Sequence, residues 1–184
     1  VMTAPAASGS LSALADRAWL ARELTSPTLR ILDASYLVPG GIAPALAQYH
    51  AGHIPGAQFF NINDVADPNG KKEHAFPSAA IFAERVGAMG IANHHHVVIY
   101  DHMGGALAAA RVWFMFRAFG HLAVSVLDGG WTEWEAEGRP VSTEIPRFAR
   151  EPFTAIEPKG RVISQADMRA LVGSDRQIVD ARGA

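Results

Sequence analysis

The chain alternates short apolar segments of strand length with segments whose apolar residues recur at helical spacing. LSALADRAWLAREL at 11–24 places leucine, alanine and tryptophan on one helical face, whereas LRILDASYL at 29–37 reads as a buried strand that ends at Asp33. Further helices are predicted at 44–52, 78–90, 106–120 and 131–138, and further strands at 57–62, 97–101 and 123–128. This alternation predicts an α/β fold, with a mostly parallel sheet covered by helices on both faces.

The end of the chain repeats the plan of its beginning. Residues 163–182 and 12–35 each contain a helix, a polar break and an apolar strand that ends in Asp-Ala, at Asp180 and Asp33. Such a repeat indicates two similar domains in tandem, or else a remnant that packs against the first domain. The second copy is incomplete, because one helix and one strand cannot bury a parallel sheet. The expected divisions are a flexible leader (1–10), a first domain (11–140), an extended linker (141–161) and the start of a second domain (162–184).

Composition excludes several classes of function. The chain contains no cysteine, so its own residues cannot form a disulfide, a zinc–thiolate site or a cysteine nucleophile. A net charge of −2 argues against a nucleic-acid-binding surface. No apolar run has the length of a membrane span, and the N-terminal residues lack the pattern of a secretory signal. The run His94–His96 could hold a metal ion, but histidines on a loop are expected to be solvated, so no metal site is predicted.

The stretch VVIYDHMGG places an aspartate where α/β proteins commonly place their chemistry. An apolar strand ends at Asp101 and is followed by a glycine-containing loop and a helix. Amides at a helix start favour an anion, so Asp101 could accept hydrogen bonds from the loop as a structural residue. The alternative is an aspartyl nucleophile of a phosphotransferase, which is disfavoured because Met103 stands where a second carboxylate would be needed.

Four motifs in this order resemble the two-domain sulfurtransferases of the rhodanese family, closest to the 3-mercaptopyruvate branch. The motifs are HIPGAQFFNI, VVIYD, RVWFMFRAFGH and VSVLDGGWTEW, and the resemblance extends over residues 10–182. It implies a non-catalytic N-terminal rhodanese-like domain, with Asp101 at the position that a cysteine occupies in the catalytic domain. The catalytic cysteine would then lie on sequence absent from this chain.

The resemblance also implies an activity and its partners. The complete protein would move sulfane sulfur from 3-mercaptopyruvate, or from thiosulfate, to a thiol or cyanide acceptor through a cysteine persulfide. No cofactor would be required, and the partner of this domain would be the C-terminal catalytic rhodanese domain. The other hypothesis is a non-catalytic regulatory or protein-binding module. A cytoplasmic location is expected, with a mitochondrial one as the alternative.

Cleft-facing residues are assigned by the same resemblance. His74 would face the catalytic cysteine across the interdomain cleft and orient the donor or transfer a proton; otherwise it is a solvated loop histidine. Asn63 stands where the family carries an acid, and the neighbouring Asp64 need not point the same way, which puts a His–Asp relay in doubt.

Structural roles are expected for the remaining motif residues. His53 should anchor the HIPG turn by hydrogen bonding, and Arg111 should pair with Asp101 or another carboxylate. Gly129 and Gly130 should permit a tight turn into the following helix.

Overall fold

A central five-stranded sheet organises the chain. The structure is a computed structural model and describes residues 12–70, 73–105 and 107–180. All strand pairs are parallel, in the order β1-β5-β4-β2-β3. The strands are β1 (Leu14–Ala15), β2 (Leu29–Asp33), β3 (Ala57–Phe59), β4 (His96–Tyr100) and β5 (Val124–Leu127). The prediction of an α/β fold with a mostly parallel sheet is confirmed.

Helices cover both faces of this sheet. They are α1 (Arg17–Glu23), α2 (Ile42–Ala51), α3 (Ile62–Val65), α4 (Ala79–Ala88), α5 (Ala108–Ala118), α6 (Gly130–Ala136) and α7 (Gln165–Leu171). One hydrophobic cluster joins the sheet to α3, α4 and α5, and a second joins it to α1 and α6. Within the described residues, no helix is long and apolar enough to cross a lipid bilayer.

The strands are apolar on both sides because each side meets one of these clusters. In β2, Ile31 packs on the side of α1 and α6, whereas Leu32 packs on the side of α4 and α5. In β4, Val98 packs on the side of α1 and α6, and Ile99 packs on the side of α4 and α5. Side chains alternate between the two faces of a strand, so a strand covered on both sides needs a continuous apolar run.

The start of the first helix differs from the prediction of a helix over 11–24. Leu14 and Ala15 form an edge strand beside β5, and α1 begins only at Arg17. The Asp16 side chain accepts a hydrogen bond from the Trp19 amide and caps the helix, which explains the break. The predicted loop at 64–76 likewise begins inside a short helix, α3.

The predicted linker at 141–161 has no helix, but residues from 142 to 156 lie against the domain. Phe153 is buried in the cluster that contains α4 and α5. The Thr154 amide donates to Asn93 Oδ1 at 2.7 Å, and the Ile156 amide donates to the Phe119 carbonyl oxygen at 2.9 Å. This segment therefore contributes to the core of the domain.

The predicted second copy is only partly formed. Helix α7 has a capping box between Ser164 and Asp167, but it contains no buried residue. The predicted strand before Asp180 is wrong for the described residues, because 177–179 belong to no strand and Ile178 and Val179 are exposed. A parallel strand forms only beside a neighbour that takes its hydrogen bonds. The leader at 1–10 and residues 181–184 lie outside the described residues, and the division into domains stays a prediction.

Candidate functional site at the carboxyl edge of the sheet

Strands β2 and β4 lie side by side and end at the same edge of the sheet. Asp33 pairs in register with Tyr100, so the loops that begin after these two residues are neighbours. The carboxyl edge of a parallel sheet is where α/β proteins place their ligands. It carries Asp101 and His102 here, with Asp33 beside them.

Asp101 fills a cradle of backbone amides. Its Oδ1 accepts hydrogen bonds from the amides of Met103 at 2.8 Å and Gly105 at 2.7 Å, and its Oδ2 accepts one from the Ala109 amide at 2.9 Å. Asp101 is only 1% exposed. The anion that the loop amides bind is the carboxylate of Asp101 itself, as expected if Asp101 is a structural residue. A buried carboxylate with both oxygens engaged is not placed to act as a nucleophile.

Beside this loop, the buried Asp33 and the half-buried His102 form a pair that the sequence did not assign to the site. Asp33 Oδ1 accepts from the Ser35 amide at 2.9 Å, whereas Oδ2 has no hydrogen bond and lies 3.7 Å from His102 Nε2. The His102 ring stacks on Trp131 with 5.3 Å between centroids. Burial, and then the Asp33 carboxylate, raises the pKa of Tyr100 well above its ordinary value. The sequence signal that could have found them is position, because Asp33 ends β2 and His102 lies two residues after the end of β4.

His74 lies on the loop between α3 and α4, in a conformation that is rare for a residue with a side chain. Its φ is +56°, and its ring meets that of Tyr36 edge-on at 5.0 Å. His74 Nδ1 is buried and has no hydrogen-bond partner. The ring is therefore partly enclosed, which differs from a freely solvated loop histidine.

Arg111 contacts this loop, and its expected pairing with a carboxylate is wrong. Its Nη2 donates to the His74 carbonyl oxygen at 2.5 Å, and its guanidinium forms no ion pair with any carboxylate in the described part of the chain. Asp101 is not available because amides already occupy both of its oxygens. Desolvation lowers the pKa of Arg111 from its ordinary value.

Asn63 and Asp64 lie on α3. The Asn63 amide donates to Asn61 Oδ1, and both residues are exposed. Asp64 lines a depression of about 330 Å³ together with Gln58 of the edge strand β3. No hydrogen bond or ion pair between described residues joins Asn63 or Asp64 to His74, so the structure offers no His–Asp relay here.

His53 connects the HIPG turn to the segment that follows α6. Its Nδ1 lies 2.8 Å from the Tyr49 carbonyl oxygen and its Nε2 lies 3.0 Å from the Glu144 carbonyl oxygen. The ring is fully buried and stacks on Tyr49 at 4.1 Å. His53 therefore ties α2 to residues 142–144, consistent with the expected anchoring role.

The Gly129–Gly130 turn brings α6 against the Asp101 loop. Both glycines have positive φ, at +75° and +57°. The Trp131 amide donates to the Asp101 carbonyl oxygen at 3.0 Å, and a Cβ on Gly130 would lie 2.5 Å from that same oxygen. The close approach requires glycine at 130, since any side chain would displace the loop.

The family model for the rhodanese-like domain matches residues 16–137. The chain belongs to the rhodanese family. This domain contains every element of the site described above, from Asp33 and His74 to Asp101, Arg111 and Trp131.

Relatives of this rhodanese-like domain are sulfurtransferases. The chain is 42% identical to thiosulfate sulfurtransferase from Cricetulus griseus over 176 residues, which are 92% of this chain and 59% of that protein. It is 38% identical to 3-mercaptopyruvate sulfurtransferase from Rattus norvegicus over 178 residues, 94% of this chain and 60% of that protein. The crystal structure of SseA, a 3-mercaptopyruvate sulfurtransferase from Escherichia coli, superposes with a TM-score of 0.84 at 30% identity, covering 94% of this chain and 66% of that one. The chain thus spans about three fifths of the length of these curated relatives.

The carboxyl edge of the rhodanese-like domain also exposes apolar side chains. Val38 follows β2 and is 73% exposed, and Met103 and Leu107 follow β4 and are 55% and 47% exposed. Met103 and Leu37 line an open depression of about 620 Å³ beside His102 and Trp131. These exposed apolar side chains lie on the loops that follow two neighbouring strands.

At the opposite edge of the sheet, the histidine run is not solvated throughout as expected: His94 is exposed, His95 is buried and His96 is half-buried. Burial lowers the pKa of His95 to about 4 and also lowers the pKa of His96 and His121. His95 Nδ1 accepts a hydrogen bond from the Ala92 amide at 2.8 Å. Across the described ranges, no group of three or more histidine and acidic side chains could hold a metal ion.

These buried histidines should make the domain sensitive to acid. Below about pH 6.5 the histidines bind protons in the unfolded chain but stay neutral in the folded one. The free energy of unfolding is therefore highest above that pH and falls as the pH decreases towards 4. We expect replacement of His95 by asparagine, whose carbonyl oxygen can still accept from Ala92, to flatten the dependence of the unfolding free energy on pH. Urea unfolding between pH 7 and 4 measures it, with the exposed His50→Asn as control. Equal slopes for His95→Asn and the wild type would contradict the assignment.

Proposed function

We propose that this chain is the non-catalytic N-terminal part of a two-domain sulfurtransferase whose catalytic cysteine lies on a second rhodanese domain. The observation that carries the proposal is the filled amide cradle of Asp101 in a chain without cysteine. A persulfide enzyme needs a thiolate, and the amide loop of this domain already holds a different anion. The coverage of only about three fifths of the sulfurtransferase relatives supports a further domain in the complete protein.

The proposed reaction moves one sulfur atom through the second domain. Its cysteine thiolate attacks the sulfur of 3-mercaptopyruvate, the carbon–sulfur bond breaks, and the carbon fragment leaves as an enolate that takes up a proton to become pyruvate. With thiosulfate, the sulfur–sulfur bond breaks and sulfite leaves. The persulfide then passes its outer sulfur to a thiol or cyanide, which regenerates the cysteine thiolate. The proposal needs no organic cofactor or metal.

The present domain would supply one wall of the cleft in which this reaction occurs. The apolar side chains of Val38, Met103 and Leu107 would contact the catalytic domain, because all three are exposed on the loops that follow β2 and β4. His74 would then face the donor from a loop of the same domain, with its ring oriented by Tyr36. A cytoplasmic location belongs to this proposal, with a mitochondrial one as the alternative; fractionation of the source cells distinguishes them.

Sulfur transfer should be absent from this chain alone and present in the complete protein. The rates with 3-mercaptopyruvate and with thiosulfate, measured with a thiol and with cyanide as acceptors, test this expectation and reveal the preferred donor. The matched control is the complete protein with its catalytic cysteine replaced by serine, which should be as inactive as the chain alone. Transfer by the chain alone would contradict the proposal, since no residue of it can carry a persulfide.

A non-catalytic binding module is the second candidate, favoured by the same Asp101 cradle and the missing cysteine. It predicts that the complete protein transfers no sulfur from either donor. Inactivity of the complete protein with both donors would therefore select the module over the enzyme.

A further inference from the structure

We propose that Arg111 is a positioning residue that holds His74 at the cleft, an inference that rests on the proposed function. The guanidinium acts on the backbone of His74 and need not touch the sulfur donor. Its role would be to fix the direction of the imidazole before the donor arrives.

The backbone at His74 requires an external constraint. His74 has a φ of +56° and is the one non-glycine residue with positive φ among those the structure describes. Residues other than glycine adopt this left-handed region at a cost in free energy and remain there only when their surroundings hold them. The loop that carries His74 connects two helices, α3 and α4, and its described residues form no strand.

Arg111 provides this constraint from the first turn of α5. Its Nη2 donates a hydrogen bond of 2.5 Å to the His74 carbonyl oxygen. Hydrogen bonds from a charged donor are stronger than neutral ones. No carboxylate in the described ranges forms an ion pair with this guanidinium, so the His74 carbonyl does not compete with an acidic partner.

The side chain of His74 is held as well. Its ring packs edge-on against Tyr36 at 5.0 Å, and the buried Nδ1 has no partner. The contact of the carbonyl with Arg111 and the contact of the ring with Tyr36 together restrict the orientation of the imidazole. Helix α5 also begins just after the Asp101 loop, so Arg111 connects the His74 loop to the helix whose Ala109 amide donates to the Asp101 carboxylate. A misplacement of about 1 Å in such a group can cost up to about 100-fold in rate.

Nuclear magnetic resonance of this chain tests the contact without any activity. In Arg111→Met, the heteronuclear NOE of the amides at 73–76 should fall and the ring signals of His74 should shift. Arg117→Met is the matched control, because Arg117 lies on the same helix and packs over Trp113 instead. Arg111→Lys, which retains a cationic donor, should lie between the two. The proposal is overturned if Arg111→Met leaves the His74 signals as unchanged as Arg117→Met does.

Kinetics of the complete protein test the consequence for sulfur transfer. With 3-mercaptopyruvate, Arg111→Met should lower kcat about 10-fold and change KM less than about twofold, because a misplaced orienting group slows the chemical step. Arg111→Met combined with His74→Ala should be no slower than His74→Ala alone. Additive losses would overturn the positioning role, since Arg111 would then act by another route. A normal rate for His74→Ala would overturn the proposed role of His74 in transfer, whereas the spectroscopic comparison independently decides whether Arg111 holds the loop.

Discussion

Replacing Asp101 by alanine is expected to lower the free energy of unfolding of this rhodanese-like domain by about 3 kcal/mol, since buried amides that lose a charged acceptor have no other partner. Three amides donate to this carboxylate, at Met103, Gly105 and Ala109. Their loop lies against the Gly129–Gly130 turn, and Asp101 itself is almost fully buried. Urea unfolding monitored by tryptophan fluorescence measures the loss.

Two further variants separate the loss of the hydrogen bonds to the amides from the loss of a negative charge. Asp101→Asn keeps one carbonyl acceptor and should cost less than Asp101→Ala, because at least one amide retains its hydrogen bond. Asp64→Ala removes an exposed carboxylate and should change the unfolding free energy by less than about 0.5 kcal/mol. If Asp101→Ala were no more damaging than Asp64→Ala, the carboxylate would not be what holds the loop together.

Replacing Gly130 by alanine should destabilise the domain by about 2–3 kcal/mol, because it combines a left-handed backbone with a steric clash. The new Cβ would lie 2.5 Å from the Asp101 carbonyl oxygen, and φ at this position is +57°. The clash would separate α6 from the Asp101 loop and break the hydrogen bond from the Trp131 amide.

Gly138→Ala is the matched control for the backbone effect alone. Gly138 has a φ of +64° but nothing lies within 4 Å of its added Cβ, so its loss should be limited to about 1 kcal/mol of backbone strain. The difference between the two midpoints of thermal unfolding then reports the close approach of α6 to the site loop. Equal shifts for the two variants would show that the approach at Gly130 is looser than the structure indicates.

Elements with a strong local pattern were predictable from the sequence. The core strands β2, β4 and β5 are continuous apolar runs, and α4 and α5 have helical spacing and polar or glycine boundaries. The position of Asp101 at a strand end before a glycine loop was enough to predict that its carboxylate accepts amide hydrogen bonds. The four family motifs then identified the superfamily that the comparison with known proteins shows.

Features that depend on distant contacts were not predictable. Leu14 and Ala15 are a strand only because β5 lies beside them, more than 100 residues later in the chain. The absence of a strand at 177–179 has the same origin, since none of the five described strands lies beside these residues. Arg111 was expected to pair with a carboxylate because charge is visible in a sequence, whereas the carbonyl oxygen that it contacts is not. The Asp33–His102 pair was missed because its two residues are brought together by the register of β2 and β4.

The most direct test of the account is the location of the transferred sulfur. The complete protein should be exposed to 3-mercaptopyruvate without an acceptor, digested under non-reducing conditions and analysed by mass spectrometry. The account predicts that one peptide gains the mass of a sulfur atom, that it contains a cysteine outside the 184 residues of this chain, and that peptides of this chain gain none. Sulfur bound within this chain, or no sulfur bound anywhere in the complete protein, would contradict it.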